Sequence, residues 1–244
     1  MASDAIVIGI DAAVSPAKRG VVVGRVAGGT SSIEEVLPPT PRTIGQRIKE
    51  LHVSARILIC VDAPLGWPLQ LAESLIEHSA GAPLAVEPNR LFRRETDRWI
   101  KRNINQQPLD VGADRIARTA CSALVFLQEL SDLLEASIPL AWAPDFAGAA
   151  CIEVYPAASL AAHGLSSKGY KGNSDVAITR RTGLLDALPL NLSSPVLQSA
   201  LAVDHVFDAV ICAATGFDFL SGACAAPPDM ALARREGWIW VKHP

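Results

Sequence analysis

Along the chain, runs that are apolar throughout alternate with stretches whose apolar residues recur at helical spacing. "AIVIGIDAA" opens with a β-branched run ending at Asp11 and reads as a first strand. "SPAKRG" reads as a turn, "GVVVGRVAGG" as a second strand and "SSIEEVL" as a third. Their short connections predict antiparallel neighbours. In "TPRTIGQRIKELHVSA" the period changes: Ile44, Ile48 and Leu51 make a helical stripe, and Thr40 before Pro41 is an N-terminal signature. "RILICVDA" is apolar from Ile57 to Val61 and ends at Asp62, as a strand covered on both faces does. Strand, strand, strand, helix, strand predicts an α/β fold with a parallel pair in mid-sheet.

After Pro64 the texture becomes helical. "PLQLAESLIEHSA" and "DRIARTACSALVFLQELSDLLEA" flank an Arg-rich segment, "NRLFRRETDRWIKRN". The region of about 66–150 is expected to be a largely helical insertion between the fourth and fifth strands. "ACIEVYPAASL" returns to strand character at Glu153, and "KGYKGNSD" is a polar loop. A helix is expected around 175–187. "SALAVDHVFDAVICAATGFDFLSG" reads as one long apolar helix carrying Asp204 and Asp208, and "EGWIWVKHP" as a terminal strand. Trp238 and Trp240 alternate as core residues of such a strand would.

Composition narrows the class. The chain has 244 residues, half of them hydrophobic and 19% charged, with a formal charge of −3. That suits one compact domain with a large core and gives no general support for nucleic-acid binding. The five cysteines show no CxxC spacing, so no zinc site is indicated; buried free thiols are expected. No run reaches the roughly 18 apolar residues of a membrane helix. "MASDAIVIG" lacks the basic region of a signal peptide. A cytoplasmic protein is the expectation.

The chemistry lies in the carboxylates. Asp11, Asp62 and Glu153 each stand at or near the C-terminal end of an apolar strand, the edge where ligands bind in open α/β sheets. Asp204 and Asp208 are four apart, on one face of an otherwise apolar helix. Singly, each has an ordinary alternative: Asp62 before Ala-Pro as an Asx-turn, Asp208 as a cap or the partner of an arginine. Together they weigh more, because two carboxylates about 4 Å apart repel by roughly 4 kcal/mol at an effective dielectric of 20. A cation or a shared proton must offset that. Oxygen-only ligands favour Mg²⁺ or Mn²⁺, ions that activate water and steady phosphoryl transfer.

Six stretches in order resemble the DUF429 family, described as predicted nucleases of the RNase H fold. They are "IGIDAA", "VDAPLGWP", "FRRETDR", "IEVYPAASL", "DHVFDAVICAATG" and "EGWIWV". The resemblance implies a single RNase H-like domain over 1–244, with a mixed five-stranded sheet ordered 3-2-1-4-5. It implies Asp11 on the central strand, Asp62 on its parallel neighbour, and an acidic cluster of Asp11, Asp62, Glu153 and Asp208. Asp204 resembles the extra acidic residue on the last helix of RuvC-type resolvases.

Cations come next. Arg94 and Arg98, four apart, are expected to face the acidic edge as a phosphate clamp, with Lys171 adding to it. The alternative is a solvated helix, since Glu87, Glu95, Asp97, Asp110 and Asp114 are interspersed. No GxxxxGK[ST] is present, against a P-loop NTPase. No Ser/His/Asp or Cys/His order stands out. The preferred reading is metal-dependent hydrolysis of a phosphodiester in a nucleic acid or nucleotide. Phosphoryl transfer or hydrolysis on a nucleotide or other small molecule is the second reading. A non-catalytic module binding nucleic acid or a nucleotide is the third.

Overall fold

The computed structural model describes residues 4–51, 56–112 and 114–243. Five strands form one mixed sheet in the order β3-β2-β1-β4-β5. They are β1 (Ala5–Asp11), β2 (Gly20–Ala27), β3 (Thr30–Val36), β4 (Arg56–Asp62) and β5 (Ala149–Glu153). The first three pair antiparallel, whereas β1–β4 and β4–β5 are parallel. A parallel neighbour needs a crossover, and α1 (Pro41–Glu50) provides it between β3 and β4. Thr40 caps this helix, its hydroxyl accepting from the Thr43 amide at 3.1 Å. The last residues of the expected helix, 52–55, lie outside the described residues, as does the side chain of Asp114.

Side-chain alternation gives the sheet two apolar faces. Val7, Leu58, Cys60, Ile152 and Val154 pack under α9 (Asp204–Leu220). Ile6, Ile8, Ile10, Ile57, Ile59 and Val61 pack on the other face. There they meet Ile44 and Ile48 of α1 and Ala123, Phe126, Leu127 and Leu130 of α5 (Asp114–Leu134). Thus α5, expected as part of an insertion, also builds the second layer of the core. Ahead of it in the same region come α2 (Leu69–Leu75), α3 (Pro88–Phe92) and α4 (Glu95–Ile104).

α9 sits unusually low on its face. A Cβ at Gly9 would lie 2.0 Å from the Ala209 carbonyl oxygen, and one at Gly20 would lie 1.9 Å from that of His205. These two strand glycines therefore let helix backbone rest on strand backbone. Ala209 and Ala213 form the helix side of the contact.

Three helices lie between β5 and α9: α6 (Pro156–Ala162), α7 (Asp175–Asp186) and α8 (Ser194–Ala202). The single helix expected from Ser199 onward is in fact two. Val203 is extended (φ −132°, ψ 118°) and separates α8 from α9, consistent with the poor fit of β-branched residues in helices. After α10 (Met230–Glu236), the expected terminal strand is reduced to isolated bridges, Glu153 with Ile239 and Cys224 with Lys242. Trp238 and Trp240 are nevertheless core residues. Cys60, Cys151, Cys212 and Cys224 are buried free thiols and Cys121 is exposed. Among the described residues, no helix is long and apolar enough to cross a membrane.

Candidate metal centre

Asp11 and Asp62 are register partners on the parallel pair β1–β4, so their Cα atoms are about 4.8 Å apart. Counting by twos from Val7 and from Leu58 and Cys60 puts both side chains on the α9 face. Asp208, in the second turn of α9, comes down on the same spot because Ala209 is seated on Gly9. Oxygens of Asp11, Asp62 and Asp208 all lie within 4.8 Å of one another.

The three charges strain each other. Burial first, then the neighbouring Asp62 and Asp208, push the Asp11 carboxyl up to about 9. Burial and Asp208 push Asp62 up to about 8. Asp208 is also raised by burial, although Lys171 and Tyr170 oppose the shift. The Tyr170 hydroxyl donates to Asp208 Oδ1 at 2.8 Å and the Lys171 ammonium donates to Oδ2. Among the described residues, no hydrogen-bond donor reaches the carboxylates of Asp11 or Asp62, and Lys171 is the cation acting on all three. An oxygen-only triad of this spacing can hold a metal ion.

The loop bearing Tyr170 and Lys171 is pinned from below. Arg181 is fully buried and donates only to carbonyls: Tyr170 at 2.5 Å, Gly172 at 2.8 Å, and Leu201 at 3.0 and 2.6 Å. Asp204 accepts from the Gly172 amide at 2.8 Å. That contact and Lys171 lower its carboxyl despite partial burial. Asp204 therefore secures the loop and stays outside the triad.

Glu153 does not join the triad either. Its register partner is Val61 rather than Asp62, and the one-residue offset sends it to the opposite face. There Arg94 donates to both its oxygens, at 2.7 and 2.8 Å, and the Leu65 amide donates at 2.9 Å. The same guanidinium holds Asp97 at 2.9 and 3.1 Å. Burial would lower the pKa of Arg94, but Asp97 and Glu153 outweigh it and raise it. Nearby, buried Glu236 accepts from the amides of Leu69 and Glu95 at 2.8 and 2.7 Å.

The expected phosphate clamp is thereby corrected for Arg94. It is 1% exposed, and its guanidinium is spent on internal carboxylates. It also precedes α4 as an extended cap residue (φ −70°, ψ 166°), so helical spacing does not align it with Arg98. Arg98 lies at the surface, held by Glu95 and the Arg93 carbonyl. Of the three expected phosphate-binding cations, the structure brings Lys171 to the acidic edge.

Neither Arg181 nor Tyr170 stands out in the sequence. Their role depends on a loop that returns to α9 from a distance. A signal that was available is Gly9, which interrupts a β-branched strand two residues before Asp11 and marks a close backbone approach.

Fold and site together define a class: an α/β protein whose mixed sheet presents a triad of aspartates where two parallel strands end beneath a helix. The family model described as "Protein of unknown function (DUF429)" matches residues 9–232, and the chain belongs to that family. No curated protein and no solved structure matches it.

Proposed function

We propose that this is an RNase H-like enzyme that hydrolyses a phosphodiester with Mg²⁺ or Mn²⁺ held by Asp11, Asp62 and Asp208. One observation carries the reading: among the described residues, two of the three clustered carboxylates, both half-buried, have no donor, whereas the fully buried Asp97, Glu153, Asp208 and Glu236 are all hydrogen-bonded. A divalent cation, when bound, supplies Lewis-acid stabilisation of phosphoryl charge and a lowered pKa for bound water. The protein's own part is positional. Asp11 and Asp62 are fixed by the sheet, and Tyr170 orients Asp208. The Lys171 ammonium, more than half exposed, is placed to bind a non-bridging phosphate oxygen. In the reaction, the water oxygen forms a bond to phosphorus and the ester P–O bond breaks. The departing alkoxide takes up the proton that water gives up.

The test joins binding and turnover. Calorimetric titration with Mn²⁺ should show binding to wild type and none to Asp62→Asn. Wild type should cleave a single-stranded or branched nucleic acid, or a nucleotide ester, only with the metal. Metal binding without any cleavage would favour a non-catalytic binding module. No metal binding would remove the reading.

A further inference from the structure

A cleft of about 190 Å³ is lined by Asp62, Pro64, Pro108, Leu109, Ile116 and Tyr155. Arg94 and Glu153 also border it. They are paired with each other and buried, so they offer an incoming ligand little further hydrogen bonding. Asp62 thus belongs to both the candidate metal centre and the wall of a largely apolar cleft.

The size of the slot limits its occupant. It is smaller than the roughly 300–1,000 Å³ of drug-sized ligand sites. One compact ring or short apolar group fits. Tyr155 and the prolines give such a group flat walls, as stacking recognition needs.

Charge at the site disfavours a long polyanion. Polymer binders neutralise several phosphates with a track of cations. Here the triad carries up to three negative charges with Asp204 beside it, and Lys171 is the cation acting on it. On the far side of Leu109 the surface holds Arg93 and Arg115, and Asp110 already engages Arg93. A strand reaching them would have to lay its phosphates across the apolar slot.

Resting on the hydrolase reading above, we infer that the substrate is a small phosphodiester. Its phosphate lies between Asp62 and Lys171, and one compact aromatic or apolar ester group enters the slot beside Tyr155. A nucleotide-sized ester meets this description and a long nucleic acid does not.

The experiment uses the full chain with Mn²⁺ and two substrates, the 4-nitrophenyl ester of thymidine 5′-monophosphate and a single-stranded oligonucleotide. Wild type should have the higher kcat/KM on the small ester. Ile116→Trp, at a half-buried wall position, should raise KM for that ester by about 10-fold with kcat and Mn²⁺ affinity near wild type. Leu109→Ser, on a side chain 67% exposed, should raise KM in the same direction without endangering the fold. Equal or better cleavage of the oligonucleotide, or unchanged KM in both variants, would overturn the small-substrate inference while leaving the hydrolase reading intact. Absence of Mn²⁺ binding would instead overturn the hydrolase reading, and this inference with it.

Discussion

Two groups of carboxylates lie on either side of the β4 end, and the protein treats them oppositely. Around Arg94, the side chains of Asp97, Glu153 and Glu236 have a donor at every oxygen, supplied by one guanidinium and by amides including those of Leu65, Leu69 and Glu95. Around Asp62, one lysine and one tyrosine both donate to Asp208, and among the described residues no donor reaches Asp11 or Asp62. Burial follows the same division: Asp208, as buried as Glu153, has a donor at each oxygen, whereas Asp11 and Asp62 are half-buried. Each group has one cation for three carboxylates; the difference is whether the fold supplies the hydrogen-bond donors itself. Where it does, the carboxylates join segments together. Where it withholds them, they are left to bind something from solution.

The sharpest break of this contrast is Asp62→Asn. Metal-dependent hydrolysis should fall roughly 10³-fold or more, and circular dichroism should show the fold retained. Equal activity would mean that the triad is as structural as the Arg94 group. Arg94→Ala is the mirror experiment. It strands Glu153 and Asp97 without their cation, and removing one partner of a buried pair costs about 3–5 kcal/mol. Urea denaturation should show that loss; a smaller one would deny the Arg94 group its role as a joint.

Next is the stability of the metal-free protein as pH changes. Asp11 and Asp62 have folded-state pKa values raised to about 9 and about 8 from 3.8. Above pH 4 the unfolded chain releases these protons before the folded one does. The contribution of these groups is therefore fully present below pH 4 and is lost progressively towards pH 8–9. In EDTA at pH 8, Asp11→Asn should melt higher than wild type by roughly 3–6 °C, corresponding to about 1.5 kcal/mol. The gap should close towards pH 4, and Mn²⁺ should raise the melting temperature of wild type alone. A variant that is less stable in EDTA at every pH would show that the triad is already satisfied.

Lys171→Ala should reduce kcat/KM about 10-fold, or about 1.4 kcal/mol, because the ammonium is largely exposed and screened. Asp204→Asn should do least, since it weakens one surface contact to the Gly172 amide worth roughly 1 kcal/mol. If Asp204→Asn matched Asp208→Asn in its effect on activity, the assignment of Asp204 to the loop rather than to the metal would fail.

Much of this contrast was legible in the chain. The apolar runs ending at Asp11 and Asp62 disclosed a parallel pair presenting carboxylates. The four-residue spacing of Asp204 and Asp208 placed both on one helix, and the resemblance put Asp208 in the acidic cluster, where it meets Asp11 and Asp62. Glu153 looked equivalent because its strand ends the same way. What separated it was register, a one-residue offset against β4 that no property of residues 149–153 encodes. Arg94 was misread for a related reason. Its charge and spacing suggested an exposed helix face, but it caps α4 and meets Glu153, which lies 59 positions away. The helix boundary at Val203 was blurred by the apolar residues on both sides.

The close seating of α9 on Gly9 and Gly20 also bears on how the molecule assembles. The last layer of the core and the third carboxylate arrive on the same element, from the far end of the chain. Contacts of such long sequence separation close slowly, because the loop entropy must be spent before they form. Until they do, Val7, Leu58 and Cys60 face water, the interval in which a partly folded chain most readily aggregates. Docking of α9 thus ends that exposure and creates the triad in one event. Gain of Mn²⁺ affinity during refolding should coincide with protection of the β1 amides and should not precede it.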